Sequence, residues 1–101
     1  MNFLATKQIE ARATSVRVTD DALTVDLSDG RTVSVPLAWY PRLLHGTASE
    51  RNDHQLIGEG LGIHWPQLDE DISVEGILAG SRSHESKESF EQWLASRRPA
   101  S

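Results

Sequence analysis

The four histidines, His45, His54, His64 and His84, and the carboxylates near them are the residues of this chain best suited to chemistry. No two of them stand in an H-x-x-x-H or similar spacing, so a zinc site would need the fold to gather distant ligands, and no metal is expected. His64, with Glu59 or with the acidic residues after Pro66, has the makings of a general base and its orienting carboxylate. No nucleophile occupies a recognised motif beside them, so the simpler reading is a histidine hydrogen-bonded at the edge of a sheet. The run Gly58-Glu59-Gly60-Leu61-Gly62 is glycine-rich like a phosphate loop. It lacks the P-loop lysine, departs from the dinucleotide fingerprint and meets Pro66 where a helix would be needed, so it reads as a turn between strands. Arg42 can hold a phosphate or carboxylate, yet an exposed arginine on a short helix needs no such role. No catalytic, cofactor-binding or metal-binding residue is therefore assigned, and the chain is expected not to be an enzyme.

Charge directs attention to a surface instead. Fifteen acidic against ten basic residues leave a net charge of −5. That balance opposes direct nucleic-acid binding, which needs clustered Lys and Arg to neutralise phosphates. The excess is uneven: Asp69, Glu70, Asp71 and Glu75 precede any base before Arg82. Such a run reads either as a solvated acidic face at a helix N-terminus or as a docking site for a basic partner. At 101 residues with no cysteine, the chain is expected to form one core without disulfides or thiolate sites, which suits a reducing cytosol. Its start lacks the apolar run of a signal peptide and no stretch approaches a membrane span, so a cytoplasmic protein without membrane association is expected.

The elements that position these residues begin with three alternating stretches. Val16 and Val18, then Leu23, Val25 and Leu27, then Val33 and Val35 alternate with polar residues and predict an antiparallel meander over roughly residues 13 to 37. A two-residue Asp29-Gly30 turn would put the apolar rows on opposite faces. A three-residue loop, Ser28-Asp29-Gly30, pairs Val25 with Val33 and Leu23 with Val35, with Gly30 in the left-handed position. For the first turn, Asp20-Asp21 and Thr19 to Ala22 both satisfy the pairing of Val18 with Leu23; the longer loop is preferred because no glycine is present for a primed turn.

Beyond Pro36 the period changes. Pro41 suits the first turn of a short helix from about Trp39 to His45, with Gly46 beyond it, and Thr47-Ala48-Ser49-Glu50 has the form of a capping box. Leu56-Ile57 reads as a short buried strand, and Ile63-His64-Trp65 as another that Pro66 ends. Asp71 or Ser73 can cap a helix that contains Val74, Ile77 and Leu78 and stops at Gly80. Gly80 to Ser83 is a linker candidate. Phe90, Trp93 and Leu94 then form a narrow apolar stripe at i, i+3 and i+4, with Glu85 and Glu88 before it and Arg97 and Arg98 after it, as the helix dipole favours. Trp39 and Trp65 are expected in the core or at its margin, each indole N–H reaching a backbone carbonyl, whereas Tyr40 has no evident role. The division is a lead-in over residues 1–12, one domain over 13–80, and a linker with an amphipathic helix over 81–101.

The order and spacing of Trp39-Tyr40-Pro41 and His64-Trp65-Pro66, with Asp29-Gly30 before them and Gln67-Leu68-Asp69-Glu70-Asp71-Ile72 after, resemble the bacterial domain of unknown function 2442 family over roughly residues 13 to 80. The resemblance implies an α+β fold, a small antiparallel β-meander packed against short helices, here followed by a C-terminal amphipathic helix. It carries no catalytic residues. It also implies pairing in some members with neighbouring toxin-like proteins of the domain of unknown function 4160 family. Other members carry a fused helix-turn-helix domain, for which residues 81–101 are too few. The expected function is a non-enzymatic, antitoxin-like module that binds a small basic protein through Asp69, Glu70, Asp71 and Glu75 and through Phe90, Trp93 and Leu94. Two alternatives stand beside it: a ligand-binding or enzymatic cleft near His64, Trp65 and Glu59, and self-association through a sheet edge or the terminal helix.

Overall fold

A computed structural model describes residues 11–97; residues 1–10, most of the expected lead-in, and Arg98 lie outside the described residues. The three alternating stretches form β1 (Ala13–Val18), β2 (Ala22–Leu27) and β3 (Thr32–Pro36), an antiparallel sheet in the order β1-β2-β3. Val18 pairs with Leu23, Val16 with Val25, Val25 with Val33 and Leu23 with Val35, as one apolar face requires. Gly30 adopts φ +96°, and the Leu27 amide donates to the Arg31 carbonyl at 2.8 Å, closing the three-residue loop.

The first turn is the shorter of the two expected. Thr19 donates its amide to the Ala22 carbonyl at 2.9 Å, so only Asp20 and Asp21 connect the strands. No positive φ is needed there, because the Thr19 hydroxyl accepts from the amides of Asp21 at 3.2 Å and Ala22 at 3.1 Å and holds the turn itself. A bulge between Ala13 and Ser15 is a further difference from simple alternation. Ala13 and Val16 are both buried although three residues apart, which needs one extra residue in the strand.

A second antiparallel sheet follows the short helices. It contains β4 (Gln55–Ile57), β5 (Gly62–Trp65) and β6 (Glu70–Ser73) in the order β4-β5-β6. Leu56 and Ile57, expected to be buried, are each 41% exposed, because β4 is an edge strand at the rim of the sheet. Between the sheets lie a 3-10 turn at Leu37–Trp39, α1 (Pro41–Leu44) and α2 (Ala48–Asn52). The Thr47 hydroxyl accepts from the Glu50 amide at 3.1 Å, and the Glu50 carboxylate accepts from the Thr47 amide at 2.8 Å. α3 (Val74–Ala79) starts at the Ser73 hydroxyl, which accepts from the Gly76 amide, and ends at Gly80 with φ +76°. α4 (Lys87–Ser96) is capped by Ser86.

Both sheets and α3 enclose one core of Leu23, Val25, Val35, Leu37, Leu43, Ile63, Trp65, Leu68, Ile72, Val74 and Ile77. Trp65 is fully buried and donates its indole N–H to the Arg51 carbonyl at 2.9 Å. Trp39 lies at the margin beneath the Arg82 guanidinium, and Tyr40 is a core residue whose hydroxyl donates to the Ser81 carbonyl at 3.2 Å. Arg51, buried without warning from the sequence, donates to the carbonyls of Leu43 and Leu44 at the end of α1 and reaches Asp20, each at 2.8 Å. These bonds satisfy carbonyls that a four-residue helix cannot pair internally.

Candidate functional site

Arg42 is the organising cation of the region after α1. Its side chain is 14% exposed and meets Glu85, 15% exposed, through a fork: Nε donates at 3.0 Å and Nη2 at 2.5 Å. Nη1 donates to the Leu68 carbonyl at 3.0 Å. The arginine expected on the surface is thus a strap joining α1 to the residues before β6 and before α4. Such paired forks fix geometry as well as charge.

Of the acidic run, Glu75 alone lies on a helix. Asp69 takes φ +50° in the turn before β6, its side chain 90% exposed and 4.0 Å from Arg42 Nη1. Glu70 and Asp71 occupy β6, where pleating sends them to opposite sides. Asp71 faces outward and bonds His64 Nδ1 on the neighbouring strand, directly across the ladder. Glu75 stands exposed in the first turn of α3, away from the other three in register. The sequence missed β6 because a four-residue strand rich in acids has neither the length nor the composition that marks one.

Asp69, Glu70, Asp71, Ile72 and Ser73 form one wall of a cleft of about 510 Å³. Tyr40 and Arg42 line it from within, and Ser81 to Glu85 form the other wall. Burial raises the Glu70 carboxyl to about 7; Arg42 opposes that rise, and Glu85, Asp71 and Asp69 add to it by repulsion. Burial and the nearby Glu70 also raise the Tyr40 hydroxyl. Glu85 is instead held below the usual carboxylate range by its hydrogen bonds from Arg42. The Ser81–Glu85 wall is tied down: Ser83 donates its amide to the Trp39 carbonyl at 3.0 Å and Ser81 accepts from Tyr40.

α4 folds back on the body of the protein. Phe90 packs against the His45 ring at 5.3 Å between centroids, and the guanidinium groups of Arg42 and Arg97 lie over the Trp93 ring at 5.1 and 4.6 Å. Arg97 forms a fork with Glu50, Nη1 and Nη2 donating at 2.9 and 2.6 Å, which lowers the Glu50 carboxyl to about 2. Leu94 remains among the exposed apolar side chains. No residue of α4 is fully buried, so long polar side chains and stacked cations hold the helix. Of the expected contact residues, Asp69, Glu70 and Asp71 are brought to one cleft; Phe90, Trp93 and Leu94 belong to a separate, docked helix.

The residues considered for a cleft near His64 do not come together. Trp65 is sealed in the core, Glu59 sits in the 3-10 turn Gly58–Gly60 beside Arg12, and His64 is bound to Asp71. None of the three lines the 510 Å³ cleft. Among the described residues no group of three histidine, aspartate or glutamate side chains is placed to hold a metal ion, and no helix is long and apolar enough to cross a membrane.

The family described as "Protein of unknown function (DUF2442)" matches residues 13–83. A crystal structure of a protein of unknown function from Rhodospirillum rubrum ATCC 11170 is 28% identical, with a TM-score of 0.66 over 81% of this chain and 99% of that one. A solution NMR structure of an uncharacterized protein from Chromobacterium violaceum is 23% identical and shares the fold, with a TM-score of 0.61 over 89% of this chain and 79% of that one. No curated protein matches the chain.

Proposed function

The chain belongs to the DUF2442 family, and we propose that it is a non-enzymatic protein-binding module, an antitoxin-like component whose acidic cleft receives a small basic protein encoded nearby. The observation that carries this reading is that Asp69, in the turn before β6, and Glu70 and Asp71, in β6, line one wall of a single cleft. Four acidic residues, those three and Glu85, line the cleft, against Arg42 and Arg82 among the described residues. Arg42 and Glu85 offset each other, and Asp69 and Asp71 still outnumber Arg82 where Glu70 holds its proton, so the remaining charge is negative and favours a cationic partner. A catalytic reading centred on His64 has less support, because His64 is bonded to Asp71 and lies outside the cleft that Glu70 and His84 line. The cytoplasm is the compartment proposed for such a pair.

The test is co-expression with the adjacent reading frame, followed by size-exclusion chromatography over a range of salt. Co-elution that weakens with salt and is lost on Asp69→Lys with Asp71→Lys supports the proposal. Separate elution at every concentration refutes it. Because α4 is docked through Arg97 and Glu50, its expected part is to hold the far wall of the cleft rather than to reach out as a free arm.

A further inference from the structure

The cleft meets Asp69, Glu70, Asp71, Ile72 and Ser73 in unbroken succession. A cavity over the face of a strand would touch alternate residues; one that touches every residue runs along the strand's edge. β6 is the last strand in the order β4-β5-β6, so no strand of this chain covers that edge among the described residues. The phase of its ladder follows from the Val74 amide, which donates to the Leu61 carbonyl at 2.9 Å. Bonded and non-bonded pairs alternate in an antiparallel ladder, so Ile72 with Ile63 and Glu70 with Trp65 are bonded pairs, and Asp71 with His64 is not. The amide and carbonyl of Asp71 therefore point away from β5 toward the cleft, and neither makes a hydrogen bond among the described residues.

The opposite wall cannot fill this edge. Ser81 and Ser83 are tethered to Tyr40 and Trp39, and Glu85 to Arg42, with the cleft between them and β6. An uncovered strand edge is a template for another backbone, and its surroundings decide which. Here the exposed carboxylates of Asp69 and Asp71 select for positive charge.

We infer that β6 takes up an extended, positively charged segment of a partner protein as a fourth strand of the β4-β5-β6 sheet, lying in the cleft between β6 and Ser81–Glu85. This deepens the protein-binding reading and rests on it. The partner residue set opposite Asp71 donates its amide to the Asp71 carbonyl and accepts from the Asp71 amide. Its side chain shares a face with Asp71 and His64, where lysine or arginine meets the Asp71 carboxylate. The partner residues on either side share the face of Glu70 and Ile72, so small or β-branched side chains suit them.

The test uses the whole chain and a blocked seven-residue peptide that alternates threonine with arginine, followed by amide NMR. The expected result is a saturable shift of the Asp71 and Ser73 amides and slower hydrogen exchange at Asp71, with no effect from the same peptide carrying glutamate for arginine. A third peptide, N-methylated at each arginine, should bind roughly tenfold more weakly for each hydrogen bond lost. If the N-methylated peptide binds equally well, the contact is between side chains: strand addition is overturned while the basic-partner reading stands. If the arginine peptide leaves the Asp71 amide unshifted at millimolar concentration, strand addition is also overturned. Protection of Asp71 in the chain alone, with a dimer seen by light scattering, overturns it too, because a second copy would already fill the edge.

Discussion

Glu70→Gln separates the stability of this protein from its pH. In the folded chain burial raises the Glu70 carboxyl from the ordinary 4.5 to about 7. Below pH 4.5 both folded and unfolded chains hold the proton, and above 7 both have lost it. Between those values the folded chain keeps a proton that the unfolded chain has released, so stability falls as the pH rises through this window and stays reduced above it. At about 1.4 kcal/mol per pH unit the full displacement corresponds to ~3 kcal/mol. Glu70 opens onto the cleft and is partly solvated, which screens the effect to about 1–2 kcal/mol. Glutamine resembles the protonated acid, so the variant should match the parent within ~0.5 kcal/mol at pH 5. At pH 8.5 it should exceed the parent by about 1–2 kcal/mol, a rise in Tm of roughly 5–10 °C. Urea unfolding followed by the fluorescence of buried Trp65 reads the difference at each pH. A gap between variant and parent that stays constant from pH 5 to 8.5 would refute the argument, since burial of an ionising group has no other signature in that range.

The packing sets the remaining outcomes. Gly60→Ala should cost about 3 kcal/mol by urea unfolding, because φ is +92° and the added Cβ would meet the Ala13 carbonyl oxygen at 2.6 Å, whereas Gly30→Ala, with φ +96° and open space, should cost about 1 kcal/mol. Arg97→Ala removes the fork to Glu50 and one cation over Trp93, and should expose the α4 amides to hydrogen exchange about tenfold faster while those of β2 are unchanged. The same release is expected on acidification from about pH 4.5 toward about 2, as Glu50 takes up its proton. Trp65→Phe should cost about 2–4 kcal/mol in urea, since it removes the indole donor to the Arg51 carbonyl and leaves a void in the core.

Legibility varied with the range of the interaction that decides each element. Val25 opposite Val33 was readable because a two-residue turn would put the apolar rows on opposite faces and a three-residue loop ending in Gly30 puts them on one, and the Thr47–Glu50 capping box because its bonds span three residues. The end of α3 at Gly80 is equally local: the Ser81 amide closes on the Gly76 carbonyl at 2.9 Å. β6 was not readable. Glu70 and Asp71 suit a solvated helix start, and they form a strand because β5 offers them a ladder and Ile72 a place in the core. Leu56 and Ile57 erred in the other direction, since their apolar side chains say nothing of lying at a rim.

From the sequence alone come the family, the meander, the caps, the burial of Trp65 and the excess of negative charge, all of which depend on neighbours along the chain or on composition. Tertiary structure decides where that charge acts. Arg42 meets Glu85 across 43 residues, and Arg97 meets Glu50 across 47. These pairings turn a free-looking tail into a docked helix and a run of acids into one wall of a cleft. A side chain's charge is a property of its type, but its pKa, its partner and the direction of its backbone amide depend on which distant residues close around it.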